Sequence, residues 1–145
     1  MTSATAPAGP ISAEAVGTVV ALDAAGFAAT IPGHRFAIVD FWAPWCAPCR
    51  SFAPVFEAAA TRHPDILFAK VDTEAEPAVA GHFSIRSIPT LMIFRENVVV
   101  FAEAGALPAS ALEQVVASAR ALDMDEVRRE IESQAATDGG VPGAR

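Results

Sequence analysis

The chain has 145 residues, a net charge of −7 and 52% hydrophobic residues. That is enough for one compact domain with a sizeable core, and it excludes wholesale disorder. The acidic balance with few basic residues argues against nucleic acid and against anionic membrane surfaces as partners.

Residues 1–16, rich in Ala, Pro, Ser, Thr and Gly, read as a flexible tail. They have neither the basic start nor the apolar centre of a secretory signal, and no apolar run approaches the ~18 residues of a membrane span. A cytoplasmic location is expected, where structural disulfides are rare. "TVVAL" (Thr18–Leu22) predicts a short strand, "DAAGFAAT" (Asp23–Thr30) a short helix and "IPGH" a turn. "RFAIVDFW" (Arg35–Trp42) is a near-continuous apolar run with β-branched and aromatic residues, as in a central strand buried on both faces. A helix from about Pro44–Cys46 to Arg62 follows, with Phe52, Val55, Phe56, Ala59 and Ala60 at helical spacing and a kink expected at Pro54.

"DILFAKVD" (Asp65–Asp72) predicts a second buried strand and "AEPAVAGHF" (Ala75–Phe83) a short helix. "PTLMIF" (Pro89–Phe94) and "VVVFAEA" (Val98–Ala104) lie close enough to form a hairpin. "LPASALEQVVASARAL" (Leu107–Leu122) predicts a helix with Leu112, Val115, Val116 and Ala119 on one face. "DMDEVRREIESQ" (Asp123–Gln134) predicts a charged helix capped by Asp123, with Glu126 completing a capping box. Only its Val127 and Ile131 are available for burial, so weak docking is expected. The alternation of strands and helices indicates an α/β domain over residues 17–122, with 123–145 a charged helical extension ending in a flexible tail.

Both cysteines lie in "WCAPC", between the central strand and the helix after it. At the first helical turn, Cys46 meets unpaired backbone N–H groups and the positive end of the helix dipole, which favour its thiolate by ~0.3–2 kcal/mol. The thiolate is the nucleophile of disulfide exchange, so the sulfur at 46 is expected to be exposed and acidified. Cys49, almost one turn later, lies beside it and can attack a mixed disulfide formed on Cys46. Pro48 is tolerated early in a helix and stiffens the short ring. A zinc half-site would need His34, His63 and His82, none paired at zinc-finger spacing. A structural staple closing so short a ring would remove little chain entropy. His63 and His82 are expected on the surface, and neither a metal nor a cofactor is expected.

"VDFWAPWCAPC" resembles the active-site strand and turn of the thioredoxin family, whose usual form is W-C-G-P-C. "FAKVD" (Phe68–Asp72), "IRSIPTLMIF" (Ile85–Phe94) and "GALPASALEQVV" (Gly105–Val116) resemble its later segments in the same order. The resemblance spans roughly Val16 to Leu122. It implies a thioredoxin fold, a central mixed sheet flanked by helices, here with an added C-terminal helical segment. It also implies reduction of disulfide-containing protein substrates through Cys46 and Cys49, with recycling by an NADPH-dependent thioredoxin reductase and a monomeric state.

Asp40 stands in the apolar run "AIVDFW". Burial raises a carboxyl's pKa towards the range where it exchanges protons near neutrality, so Asp40 is the candidate proton acceptor for Cys49. Lys70 is the single lysine among ten basic residues and stands where the family places the charge partner of that acid. The resemblance further implies a cis Ile88–Pro89 bond turning the Ser87–Ile88 backbone towards Cys46. A substrate strand could pair there in an extended pose. Trp45, Ala47, Pro48, Ile88, Pro89, Gly105 and Ala106 are the candidate substrate-binding residues, whereas Trp42 is expected to support the core or the loop. Ala47 departs from the family's glycine and should alter the reduction potential modestly. The turn in "FRENVVV" lacks the family's frequent Asn-Gly. Two other readings stay open at this point: a disulfide-forming oxidase of the same fold, and a binding or chaperone-like module.

Overall fold

The computed structural model describes residues 17–139, and side chains as far as residue 135. The expected N-terminal tail, 1–16, and residues 140–145 lie outside the described residues. Five strands form one mixed sheet: β1 (Val19–Ala21), β2 (Phe36–Trp42), β3 (Leu67–Asp72), β4 (Thr90–Arg95) and β5 (Val98–Ala104). Their spatial order is β1-β3-β2-β4-β5. β3 runs parallel to both β1 and β2, while β2–β4 and β4–β5 are antiparallel. The helices are α1 (Ala24–Thr30), α2 (Ala47–Arg62), α3 (Pro77–His82), α4 (Ala109–Arg120) and α5 (Met124–Gly139). The "IPG" turn tightens into a 3₁₀ segment, Ile31–Gly33.

The period-2 alternation of a strand sorts the core into two layers. Phe36 and Ile38 of β2, Phe68 of β3 and Leu91 and Ile93 of β4 pack with Phe52, Phe56 and Ala59 of α2 and Leu112 and Val116 of α4. On the other face Ala37, Val39 and Phe41 pack with Leu67, Val71, Met92 and Phe94, under Phe27 of α1 and Val79 of α3. β2 is buried at every position except Trp42 at its end, which explains its continuous apolar run. The same alternation gives Asp40 the face of Phe36 and Ile38, the face that α2 covers. The acid therefore lies on the α2 side of the sheet by register alone.

Local signals fix most boundaries. Asp23 caps α1, its Oδ1 accepting the Gly26 N–H at 2.7 Å. Pro54 sits inside α2, whose buried residues are Cys49, Phe52, Phe56, Ala59 and Ala60. The β4–β5 turn forms without a glycine: Glu96 and Asn97 both take positive φ, 53° and 65°. Such a primed turn matches the strand twist. The Glu96 N–H is held by the Arg35 carbonyl at 2.8 Å, and its carboxylate pairs with Arg35 and Arg128.

The C-terminal extension is a helix, and Asp123 caps it by accepting the Asp125 and Glu126 N–H groups at 3.0 and 3.2 Å. Its apolar contact differs from expectation. Met124 is buried and Val127 half-buried, while Ile131 stays 46% exposed. Ile131 lies with Val99 and Leu122 beside edge strand β5, a seam too shallow to cover it.

Candidate active site

β2 delivers the chain through Trp42–Trp45 to Cys46, which stands at the N-cap of α2. Cys46 and Cys49 are joined by a disulfide, with Cα atoms 5.2 Å apart. The Cys46 sulfur accepts the Cys49 backbone N–H at 3.2 Å. A sulfur thus occupies the place that a Ser or Asp oxygen fills in an ordinary cap. Pro48 has no N–H to offer, so Cys49 supplies the amide that faces this sulfur. Such a group stabilises negative charge on Cys46 once the disulfide is opened.

The expected open sulfur is not observed: Cys46 is 4% exposed and Cys49 2%. The pair packs against Ala43, Trp42 and Ile88, and the Cys46 Sγ lies 3.8 Å from the Ile88 carbonyl oxygen. The Ile88–Pro89 peptide is cis. Pro89 is buried, and its carbonyl accepts the Gly105 N–H at 2.7 Å, which ties the last-helix entry to the proline. Gly105 holds φ +113°, a conformation that favours glycine. Around the covered sulfurs the surface is apolar. Trp45 is 65% exposed, and Ala47, Pro48, Gly105 and Ala106 are exposed beside half-buried Ile88. Of the candidate binding residues, Pro89 alone is buried, so it positions its neighbours rather than offering surface.

Asp40 is 4% exposed, and its Oδ1 has no hydrogen-bond partner. Burial pushes its carboxyl up to about 7, against the pull of the Lys70 charge. Asp40 and Lys70 are direct Cα partners across the parallel β2–β3 pair. They form no ion pair within hydrogen-bonding reach. Lys70 Nζ instead stands 4.8 Å from the Trp42 ring centroid, where a cation is attracted to the π face. Lys70 thus acts on Asp40 through space, and Trp42 joins two parts of the site: its ring takes the lysine and packs on the cysteines. The Trp42 carbonyl accepts the Thr73 N–H at 2.8 Å. A loop-supporting role for Trp42 was legible in the sequence; its contact with Lys70 was not.

Among the described residues no group of three or more His, Cys, Asp or Glu side chains could hold a metal ion, and the three histidines lie apart from the thiols. His63 is not a free surface residue: Glu113 holds its Nε2 at 2.8 Å, and Arg120 meets its Nδ1 at 3.1 Å. Among the described residues no helix is long and apolar enough to cross a membrane.

A family model described as Thioredoxin matches residues 18–118. A protein named putative thioredoxin 2 from Streptomyces coelicolor is 52% identical over 122 residues, covering 84% of this chain and 91% of that protein. Among solved structures, the long form of thioredoxin f from spinach chloroplast is 30% identical with a TM-score of 0.68, covering 74% of this chain and 91% of that one. A thioredoxin f2 chain seen in complex with ferredoxin:thioredoxin reductase is 27% identical with a TM-score of 0.67, covering 74% of this chain and 99% of that chain.

Proposed function

The chain belongs to the thioredoxin family, and from that premise we propose a division of labour in its site and a set of partners. The protein is a thiol–disulfide oxidoreductase of the disulfide-reducing type. In the reduced form the Cys46 thiolate attacks a substrate disulfide, expelling one substrate thiolate and leaving a mixed disulfide. Cys49 then loses its proton to Asp40, directly or through a water, and attacks the Cys46 sulfur. The second substrate thiolate leaves, the Cys46–Cys49 bond forms, and two electrons have passed to the substrate. Lys70 keeps Asp40 from becoming too weak an acid to ionise near neutrality.

The observation that carries this reading is the sulfur of Cys46 as the N-cap acceptor of α2, bonded to Cys49. Trp45, Ala47, Pro48, Ile88, Gly105 and Ala106 receive an extended substrate strand, with Pro89 shaping the backbone beneath. An NADPH-dependent thioredoxin reductase recycles the disulfide. We place the activity in the cytoplasm, in a monomer whose catalytic unit is residues 17–122. The test is insulin reduction coupled to NADPH oxidation through a bacterial-type thioredoxin reductase. Turnover that vanishes in Cys46→Ser is expected; full turnover in that variant contradicts the assignment.

A further inference from the structure

Three of the chain's nine arginines converge far from the thiols. Arg35 immediately precedes β2, Arg95 closes β4 and Arg120 closes α4, and all three line one cavity of about 530 Å³ with His34 and Phe36. The cavity adjoins the start of β2, while Cys46 follows its other end, about 20 Å away at ~3.3 Å per residue. We propose that this cavity binds a phosphate-bearing small anion.

Charge is the first support. The chain is acidic overall, yet this lining carries three guanidiniums against one carboxylate; Asp65 takes Arg120 at 2.6 Å, which leaves Arg35 and Arg95 as the surplus charge. Like charges are gathered only where something holds them. The Phe36 ring does so, with the Arg95 and Arg120 guanidinium carbons 5.2 and 5.6 Å from its centroid. Arg95 is fixed further by Nη1, which donates to the Ala119 and Arg120 carbonyls at 2.5 and 3.3 Å. Among the described residues its Nε and Nη2 have no hydrogen-bond partner. Arg35 is 89% exposed at its side chain, and its sole side-chain partner among the described residues is Glu96 at 3.6 Å.

His34 lines the cavity beside these arginines. Its Nδ1 donates to the Thr30 carbonyl at 2.9 Å. Its Nε2 is buried without a partner, one of two such side-chain atoms among the described residues. The other is on Asp40. An unpartnered buried nitrogen is costly. With essentially no accessible surface, this nitrogen does not itself meet a ligand in the cavity. The cavity has the size of a small-molecule site. The guanidiniums of Arg35 and Arg95, arriving from two parts of the chain, suit a tetrahedral oxyanion, which offers oxygens in several directions, whereas a planar carboxylate fills one fork, as Asp65 fills that of Arg120.

The test is independent of disulfide exchange, so its failure leaves the redox reading intact. The oxidised full-length protein, ¹⁵N-labelled, is titrated at constant ionic strength with inorganic phosphate, pyrophosphate and ADP. Amide shifts at residues 33–36, 95 and 119–121 should saturate together. Arg35→Gln, at an exposed side chain, should weaken binding roughly tenfold, the loss of one charge-assisted contact. Arg95→Gln should do the same, and Arg50→Gln, at the thiol end of α2, should change nothing. Pyrophosphate binding as tightly as ADP identifies the free oligophosphate as ligand; tighter ADP identifies a nucleotide. Shifts that fail to saturate, or that survive both Arg35→Gln and Arg95→Gln unchanged, overturn the proposal.

Discussion

Replacing Asp40 with asparagine should stabilise the oxidised protein in a way that depends on pH. Asp40 is buried with an unpartnered Oδ1, and its carboxyl titrates near 7 in the folded chain against 3.8 for an ordinary one. Below pH ~3.8 the carboxyl is protonated in both folded and unfolded chains, and it costs nothing by ionisation. As pH rises the unfolded chain releases this proton first, so the folded state loses about 1.4 kcal/mol per pH unit until pH ~7, where the loss levels off. The interval from 3.8 to about 7 corresponds to about 4 kcal/mol. Asparagine has the same shape and does not ionise, so it escapes this loss. Urea unfolding from pH 4 to 9 reads it directly. Wild type and Asp40→Asn should nearly coincide in pH dependence near pH 4, diverge steadily to about pH 7 and run parallel above it. With a slope of about 2 kcal/mol/M the midpoints should then differ by about 2 M. Parallel stability curves from pH 4 to about pH 7 would refute the burial argument, and with it the basis for Asp40 as a base near neutrality.

The other predictions concern the chemistry around the thiols. Cys49→Ser should trap substrates as stable mixed disulfides on Cys46, visible as adducts on non-reducing gels; free release would mean that another group resolves them. Lys70→Met removes the charge that holds the Asp40 carboxyl down, so the rise of mixed-disulfide resolution with pH should move to higher pH, whereas an unmoved profile would deny the through-space coupling. Tryptophan fluorescence should change on reduction. Trp42→Phe should remove most of that change, because Trp42 packs on the cysteines, and Trp45→Phe little of it, because Trp45 is 65% exposed.

Much of this site is legible in the sequence because it is local. The thiol spacing, the apolar strand before it and the proline within it all lie in sixteen residues, and the helix they open starts at Ala47, just after the expected Pro44–Cys46. Strand composition places β2 and β3 to within one or two residues, the usual ambiguity of element ends. What the sequence hides is tertiary. Burial of Cys46 depends on Ile88, forty-two residues away, folding over it. The contact of Lys70 with Trp42 follows from strand register, which a single strand does not reveal. His63 reads as a surface residue until α4 brings Glu113 and Arg120 to it. The Arg35–Arg95–Arg120 cavity assembles from three elements, and no segment of the chain taken alone carries its signal. The turn at Glu96–Asn97 lacks glycine, yet partners around Glu96 hold it in the left-handed region.

The central claim is that α2 activates one sulfur, that of Cys46, despite covering it. Timed alkylation of the fully reduced protein by iodoacetamide at pH 7, read by mass spectrometry at each cysteine, tests it most directly. A helix-terminus contribution of ~0.3–2 kcal/mol enriches the thiolate while lowering its intrinsic nucleophilicity, so Cys46 should react up to about sevenfold faster than the same cysteine in the urea-unfolded chain, with Cys49 lagging behind. Cys46 reacting no faster folded than unfolded, or Cys49 reacting first, would contradict the account.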